Sequence, residues 1–457
     1  MALSGKLLDS KAQHQKMLTT PIPKLVISLA LPTVASQLIT VIYNTADTYF
    51  VSQLNNNSAS GAVGVVFSLM SLIQALGFGI SMGANSLIST SLGEKKDDDA
   101  TRYANSAFAA SVLMGFVLMI SGLCLLKPLM KLLGATDTIL PYASEYSTYI
   151  LIAAPIMCSS FVLSSILRGE GKASLAMIGL CAGGIVNIIL DPLLIFGANM
   201  DIAGAALATM ISQTVSFLIL LIFFLLKKSN IRLSFSHISK KPRTYVDIIK
   251  RGFPTICRQG VASIASALLN HAAGMVRDDD VAIAAITVSN KIYMLVRNVI
   301  VGIGQGFQPV AGYNFGAGNR RRVKQAFWVT TVLGSAVCIL ATLLLFPLAE
   351  QAIMLFRDDD MEVVRIGSEA LRFMCIILPT MAYSTYVNQL YQCLGFSTVA
   401  SLLASCRQGI FFIPLVLILP RVMGVMGIEV VQPAADLLTA FISVYFHIIF
   451  FKRELNE

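Results

Sequence analysis

Long apolar runs separated by short charged loops set the plan of this chain. Residues 112–126, 211–226 and 329–348 contain no Asp, Glu, Lys or Arg, and each extends to the ~20 residues that cross about 30 Å of hydrocarbon as a helix. The pattern predicts twelve such spans, at 25–52, 60–90, 104–126, 140–167, 173–198, 202–226, 246–275, 281–313, 325–347, 364–392, 398–420 and 428–451. The order of the spans repeats. Gly79-Ile80-Ser81-Met82-Gly83, leading to Gly93, returns as Gly302-Ile303-Gly304-Gln305-Gly306, leading to Gly316. Leu31-Pro32-Thr33 returns as Phe253-Pro254-Thr255 and Gly204 as Gly427, at an offset of roughly 223 residues. The expectation is an all-α integral membrane protein of two six-helix lobes, an N-lobe at 25–226 and a C-lobe at 246–451. A linker at 227–245 joins them, with tails at 1–24 and 452–457. Parallel repeats should superpose by a rotation of ~180° about an axis near the membrane normal and enclose a cavity.

Composition agrees with a bilayer solvent. The 457 residues are 56% hydrophobic and 13% charged, where soluble domains carry about 25% charge. The net charge of +9 is read as topology, because Lys6 to Lys24, Lys95, Lys96, Arg102, Arg168, Lys172, the stretch from Lys227 to Arg251, Arg320 to Lys324, Lys452 and Arg453 all fall on one side of the predicted spans. That side is predicted to be the cytoplasm, with both termini inside. Dispersion of the basic residues over short loops argues against a nucleic-acid partner. The first 24 residues lack the apolar core of a cleaved signal peptide. The eight cysteines have no ligand spacing and read as small buried side chains. The triplets Asp97–Asp99, Asp278–Asp280 and Asp358–Asp360 each precede a predicted helix, which favours capping over metal binding.

Charge inside the spans is the strongest chemical signal. Asp47 in span one and Asp191 in span five sit where an acidic side chain costs several kcal/mol unless it is paired, protonated or facing water. Both lie in the outer thirds of their spans, and Thr209 falls at the same level, about 12 Å below the outer end of span six at about 1.5 Å per residue. Asn187 precedes Asp191 by one turn and Tyr43 precedes Asp47 by one turn, so each pair shares a helix face. Two carboxylates, an amide and hydroxyls suit Na⁺ or H⁺ and point to ion coupling. In the C-lobe, Arg258, Lys291, Arg297, Arg372, Arg407, Glu369 and Asp436 are the intramembrane charges, with Arg407 placed to pair with a carboxylate or backbone carbonyls. Met70, Met177, Met294, Gln305 and Phe307 are candidates to line a substrate cavity.

These residues resemble the multidrug and toxic compound extrusion (MATE) transporters, in the DinF-like branch. The resemblance is carried by Pro32 with Tyr43-Asn44-Thr45-Ala46-Asp47, by Arg168-Gly169-Glu170-Gly171, by the string from Asn187 to Gly197, by Gly204 to Thr209, and by Gln308-Pro309 with Tyr313-Asn314-Phe315-Gly316. It implies two lobes in a V, alternating access, and export of amphiphilic, often cationic compounds in exchange for Na⁺ or H⁺ by a protein working as a monomer in a bacterial inner membrane. It also implies a first-lobe ion site at Asp47, Asn187, Asp191 and Thr209, a bend of span one at Pro32, and no cofactor beyond the coupling ion. The runner-up reading is a flippase for lipid-linked precursors in the same superfamily, which calls for cationic residues in the central cavity. An intramembrane enzyme is disfavoured by the scatter of His14, His237, His271 and His447, and ATP-driven pumping by the absence of a phosphate-binding loop.

Overall fold

A computed structural model describes residues 12–54, 57–276, 281–356 and 360–455. Helices α1 (12–19), α2 (Ile22–Ser52), α3 (Asn57–Gly93), α4 (Asp97–Cys124), the short α5 (Leu126–Leu132), α6 (Leu140–Gly169), α7 (Ala173–Pro192) and α8 (Asp201–Leu225) build the N-lobe. The C-lobe holds α9 (Pro242–Val276), α10 (Val281–Gly316), α11 (Arg320–Leu345), the short α12 (Ala349–Met354), α13 (Met361–Cys393), α14 (Ser397–Ser405), α15 (Phe412–Met423) and α16 (Val425–Phe450). A π-helical turn at Leu193–Gly197 extends α7, and another at Cys406–Ile410 joins α14 to α15. No strand occurs among the described residues.

Ten of the helical segments are long and apolar enough to cross a membrane among the described residues, and α9 and α13 are not. Their sequences explain the shortfall. Helix α9 carries Lys250, Arg251 and Arg258, and α13 carries Arg365, Glu369 and Arg372. Most of α13 is enclosed by other helices, while its charged positions Arg365 and Glu369 are exposed near its start. Helix ends also depart from the expected span limits. Helix α4 begins at Asp97, α9 at Pro242 and α11 at Arg320, several residues before the spans at 104, 246 and 325, because a helix continues into water after its apolar stretch ends. Of the acidic triplets, Asp360 caps α13, accepting from the amides of Glu362 and Val363. Asp97, Asp98 and Asp99 instead occupy the first turn of α4 without capping it, where their charge still favours the helix dipole. Asp278–Asp280 lie outside the described residues.

The lobes meet through reciprocal contacts. A β-carbon on Gly83 of α3 would run into the Ile248 carbonyl and crowd the Gly252 amide of α9, and one on Gly306 of α10 would run into Ala30 of α2, the counterpart of Gly252. At the helix ends, Gly93 lies on the Tyr313 carbonyl while Gly316 lies on the Thr90 carbonyl. Each pair exchanges into the other under the repeat offset, as a twofold relation requires. These approaches fall in the half of the bundle that carries the basic loops. Thr33 Oγ1 adds a hydrogen bond to the Gly302 carbonyl at 2.6 Å, and Ser86 Oγ one to the Cys393 carbonyl at 2.8 Å. In the other half, Gly64 and Gly260 meet nothing within 4 Å. The contacts between the lobes thus seal the basic face.

Helix α1 ties the two lobes together beneath that seal. Gln13 Nε2 donates to the Glu170 carbonyl of the N-lobe at 3.0 Å. On the C-lobe side, His14 Nδ1 contacts the Tyr313 hydroxyl at 2.9 Å and Arg322 donates to the Thr20 carbonyl at 2.7 Å. Glu170 itself is fully buried at the end of α6 and organises the linker, accepting from the amides of Asn230 and Ile231, both at 3.0 Å, and from Ser229. Burial pushes its carboxyl above the ordinary range, and Lys172, Ser229 and the two amides oppose that shift. Glu170→Ala should therefore leave several buried donors unpaired, at about 1–3 kcal/mol each. We expect amide exchange at Asn230 and Ile231 to quicken at least tenfold, and unchanged exchange would contradict this anchoring role.

Candidate functional site

Four N-lobe helices, α2, α6, α7 and α8, converge on one polar cluster. Asn187 and Asp191 stand one turn apart on α7, with relative exposures of 1% and 0%. The Asn187 side-chain amide donates to Asp191 Oδ1 at 3.2 Å and lies 3.5 Å from Thr209 Oγ1 on α8, at the limit of a hydrogen bond. From α2, Asp47 accepts a hydrogen bond from the Tyr146 hydroxyl of α6 at 3.3 Å on Oδ2. The two carboxylates are near enough to repel each other. Asp47, Tyr146 and Thr209 face a common cleft with Tyr43, Phe67 and Met70.

The acceptors in this cluster outnumber the donors. Asp47 Oδ1, Asn187 Oδ1 and Asp191 Oδ2 are buried without a hydrogen-bond partner. Leaving one such oxygen unpaired costs about 1–3 kcal/mol, and more for an ionised group, and every orphan here is an acceptor. A species that supplies positive charge or a proton satisfies all three, so the ligand set fits a small hard cation or H⁺.

A second cleft lies on the basic side of the first and shares Tyr43 with it. Ser36, Gln37, Gln74, Phe161, Asn187, Gln213 and, from the C-lobe, Gln305 line this space. Tyr43 thus stands between the two clefts. Helix α2 passes through Pro32 without interruption. Pro32 is buried beside Thr33, where α2 rests on α10.

The expected cavity residues separate into three groups. Met70 and Gln305 face the clefts. Phe307 does not, being fully buried within the C-lobe against Phe327 of α11. Its helix turns it away from the opening because Gly304 and Gly306 bring neighbouring helices close on either side. Met177 and Met294 line neither cleft. Tyr146 was missing from the expected set. A tyrosine four helices away in sequence order gives no spacing signal, and only packing of α6 against α3 and α8 brings its hydroxyl to Asp47.

Comparison with known proteins follows this geometry. The MatE family model matches residues 32–193 and 254–418, one segment in each lobe and well over half of the chain. The chain belongs to the MatE family. It is a membrane transporter and not an enzyme. Among relatives, the multidrug export protein MepA of Staphylococcus saprophyticus is 28% identical over 404 residues, 87% of each chain. MepA of Staphylococcus haemolyticus is 25% identical over 423 residues, 92% of each. A MATE structure in complex with MaL6 superposes with a TM-score of 0.91 over 96% of this chain and 98% of that one, at 24% identity. The MatE chain described here therefore has the two-lobed, V-shaped fold of these transporters.

Proposed function

We propose that this MatE chain is a secondary multidrug exporter that moves amphiphilic, often cationic compounds out of a bacterial cell in exchange for Na⁺ or H⁺. The observation that carries this reading is the set of three orphaned acceptors at Asp47, Asn187 and Asp191, next to a cleft bordered by Phe67 and Met70. An ion that binds there in one state and leaves in the other biases the two lobes between inward- and outward-facing arrangements, whereas an ion bound equally in both shifts nothing. Asp47, Asn187, Asp191 and Thr209 hold the ion, with Tyr146 orienting Asp47. Pro32 is the point at which α2 bends, and bending there would disturb the Thr33 contact to α10. The protein works as a monomer in the inner membrane with both termini cytoplasmic, so the sealed basic face is the cytoplasmic one. The DinF-like assignment rests on the first-lobe carboxylates.

Flat aromatic cations gain dispersion and cation–π contacts in such a cleft. Expression in a drug-sensitive host should raise resistance to ethidium-like cations at least fourfold. No protection against any cation, with translocation of a lipid-linked precursor instead, would replace this reading with the flippase one. That alternative has one observation in its favour, the guanidinium groups inside the C-lobe.

A further inference from the structure

The C-lobe carries the opposite charge from the N-lobe, and its excess is uncompensated. Arg407 lies in the π-helical turn at Cys406–Ile410, a local widening of the kind that recurs at functional sites. Its Nε contacts Asp436 Oδ1 of α16 at 2.6 Å, and its Nη2 lies 3.3 Å from Oδ2 and 2.9 Å from the Tyr293 hydroxyl. Tyr293 donates to Asp436 Oδ2 at 2.8 Å, and Gln432 Nε2 donates to Oδ1 at 3.0 Å. Asp436, 3% exposed, thus has both oxygens engaged and its charge matched by Arg407. Arg258 of α9 and Arg297 of α10 remain. Both are half-buried, both are close enough to Arg407 to feel its charge, Arg297 also acts on Arg258, and Arg297 in turn feels the Asp436 carboxylate that Arg407 already engages. Neither has a hydrogen-bond or ion-pair partner among the described residues.

The internal repeat locates this cluster. Under the offset of the lobes, Arg258 corresponds to Ser36, Arg297 to Gln74 and Asp436 to Gln213. All three N-lobe residues line the inner N-lobe cleft. The C-lobe has therefore placed its guanidiniums at the positions that border open space in its twin. Unpaired arginines at membrane depth are costly unless they face water or an anion, and a guanidinium fork matches the two oxygens of a carboxylate or phosphate.

We propose that Arg258 and Arg297, beside the Arg407–Asp436 pair and left without a partner of their own among the described residues, form a binding site inside the C-lobe for an oxyanion, the carboxylate or phosphate of a bound amphiphile. The site enlarges the substrate class from cations to zwitterions, whose cationic part can face the acidic N-lobe. This extension to substrates rests on the export reading, but binding itself does not.

The test uses the purified full chain in phosphatidylcholine nanodiscs without any ion gradient. Two fluorescent probes differ in one group: rhodamine 110 has a free carboxylate, and rhodamine 123 is its methyl ester. Fluorescence anisotropy should show Arg258→Gln/Arg297→Gln binding rhodamine 110 about tenfold more weakly than wild type, a change of about 1.4 kcal/mol, with rhodamine 123 binding unchanged. Inorganic phosphate should compete with rhodamine 110 on wild type only. The thermal midpoint of the ligand-free double variant should equal or exceed that of wild type, since two unpaired charges have been removed. Equal loss of both probes, no loss of either, or a lowered midpoint with no selective loss would overturn the site and make the arginines structural. Phosphatidylglycerol in the nanodiscs that blocks rhodamine 110 on wild type but not on the variant would support the oxyanion site and identify a lipid headgroup as its occupant. Because no transport is measured, failure of the export reading would leave these outcomes intact.

Discussion

Gly83→Leu is expected to abolish transport while leaving a folded protein locked open at its basic face. The β-carbon of residue 83 would overlap the Ile248 carbonyl and crowd Gly252, and backbone atoms cannot rotate away as a side-chain tip can. Overpacking of this kind costs typically 1–3 kcal/mol, and here the added branch also forces α3 from α9 along the length of the seal. A penalty near 3 kcal/mol that falls on the closed state alone reduces its population about 100-fold at 1.4 kcal/mol per decade. The seal includes Ser86 against the Cys393 carbonyl, and Cys393 is 1% exposed. Alkylation of Cys393 by a maleimide, followed by peptide mass spectrometry, should therefore be slow in wild type and at least tenfold faster in the variant. Gly64→Leu, at a position that meets nothing within 4 Å, should change neither labelling nor transport. Slow labelling and normal transport in Gly83→Leu would mean that the lobes do not need this contact.

Asp191→Asn should uncouple the protein without emptying its substrate cleft. The residue is fully buried and one of its oxygens has no partner, so the amide replaces a charge-bearing acceptor by a group with its own donor and satisfies part of the site internally. Moving a two-state equilibrium from 1:99 to 99:1 requires about 5.5 kcal/mol of differential ion binding, and loss of one of two carboxylates removes much of it. Gradient-driven efflux is expected to fall at least 30-fold, with equilibrium binding of a cationic probe within about twofold of wild type, since 30-fold corresponds to roughly 2 kcal/mol. Asp47→Asn should behave similarly but less completely, because Asp47 is half-exposed to its cleft and keeps Tyr146 as a partner.

Much of this molecule is legible in its sequence for physical reasons that can be named. The bilayer makes apolar length a direct readout of span number, and the Pro32/Pro254 and Gly83/Gly306 correspondences make the duplication visible before any coordinates. The one-turn spacing of Asn187 and Asp191 places both on one helix face whatever the packing. What spacing cannot give is the identity of neighbours on other helices. Tyr146 and the pairing of Arg407 with Asp436 depend on which faces of α6, the π-helical turn at Cys406–Ile410 and α16 turn inward. Phe307 illustrates the converse, since its apolar character fits a cavity wall and a packed helix–helix contact equally well, and only the close approach of glycines beside it decides. Helix α1 was invisible for another reason, being too short and polar to register as a span although it bridges both lobes.

The most direct test of the account reconstitutes wild type and Asp191→Asn in proteoliposomes, imposes a Na⁺ gradient and an H⁺ gradient separately, and follows the movement of a fluorescent cation. The account predicts that one of the two gradients drives accumulation in wild type, that neither does so in Asp191→Asn, and that both proteins bind the cation alike when no gradient is present. Accumulation by Asp191→Asn equal to that of wild type under the same gradient would contradict it and move the coupling site elsewhere in the chain.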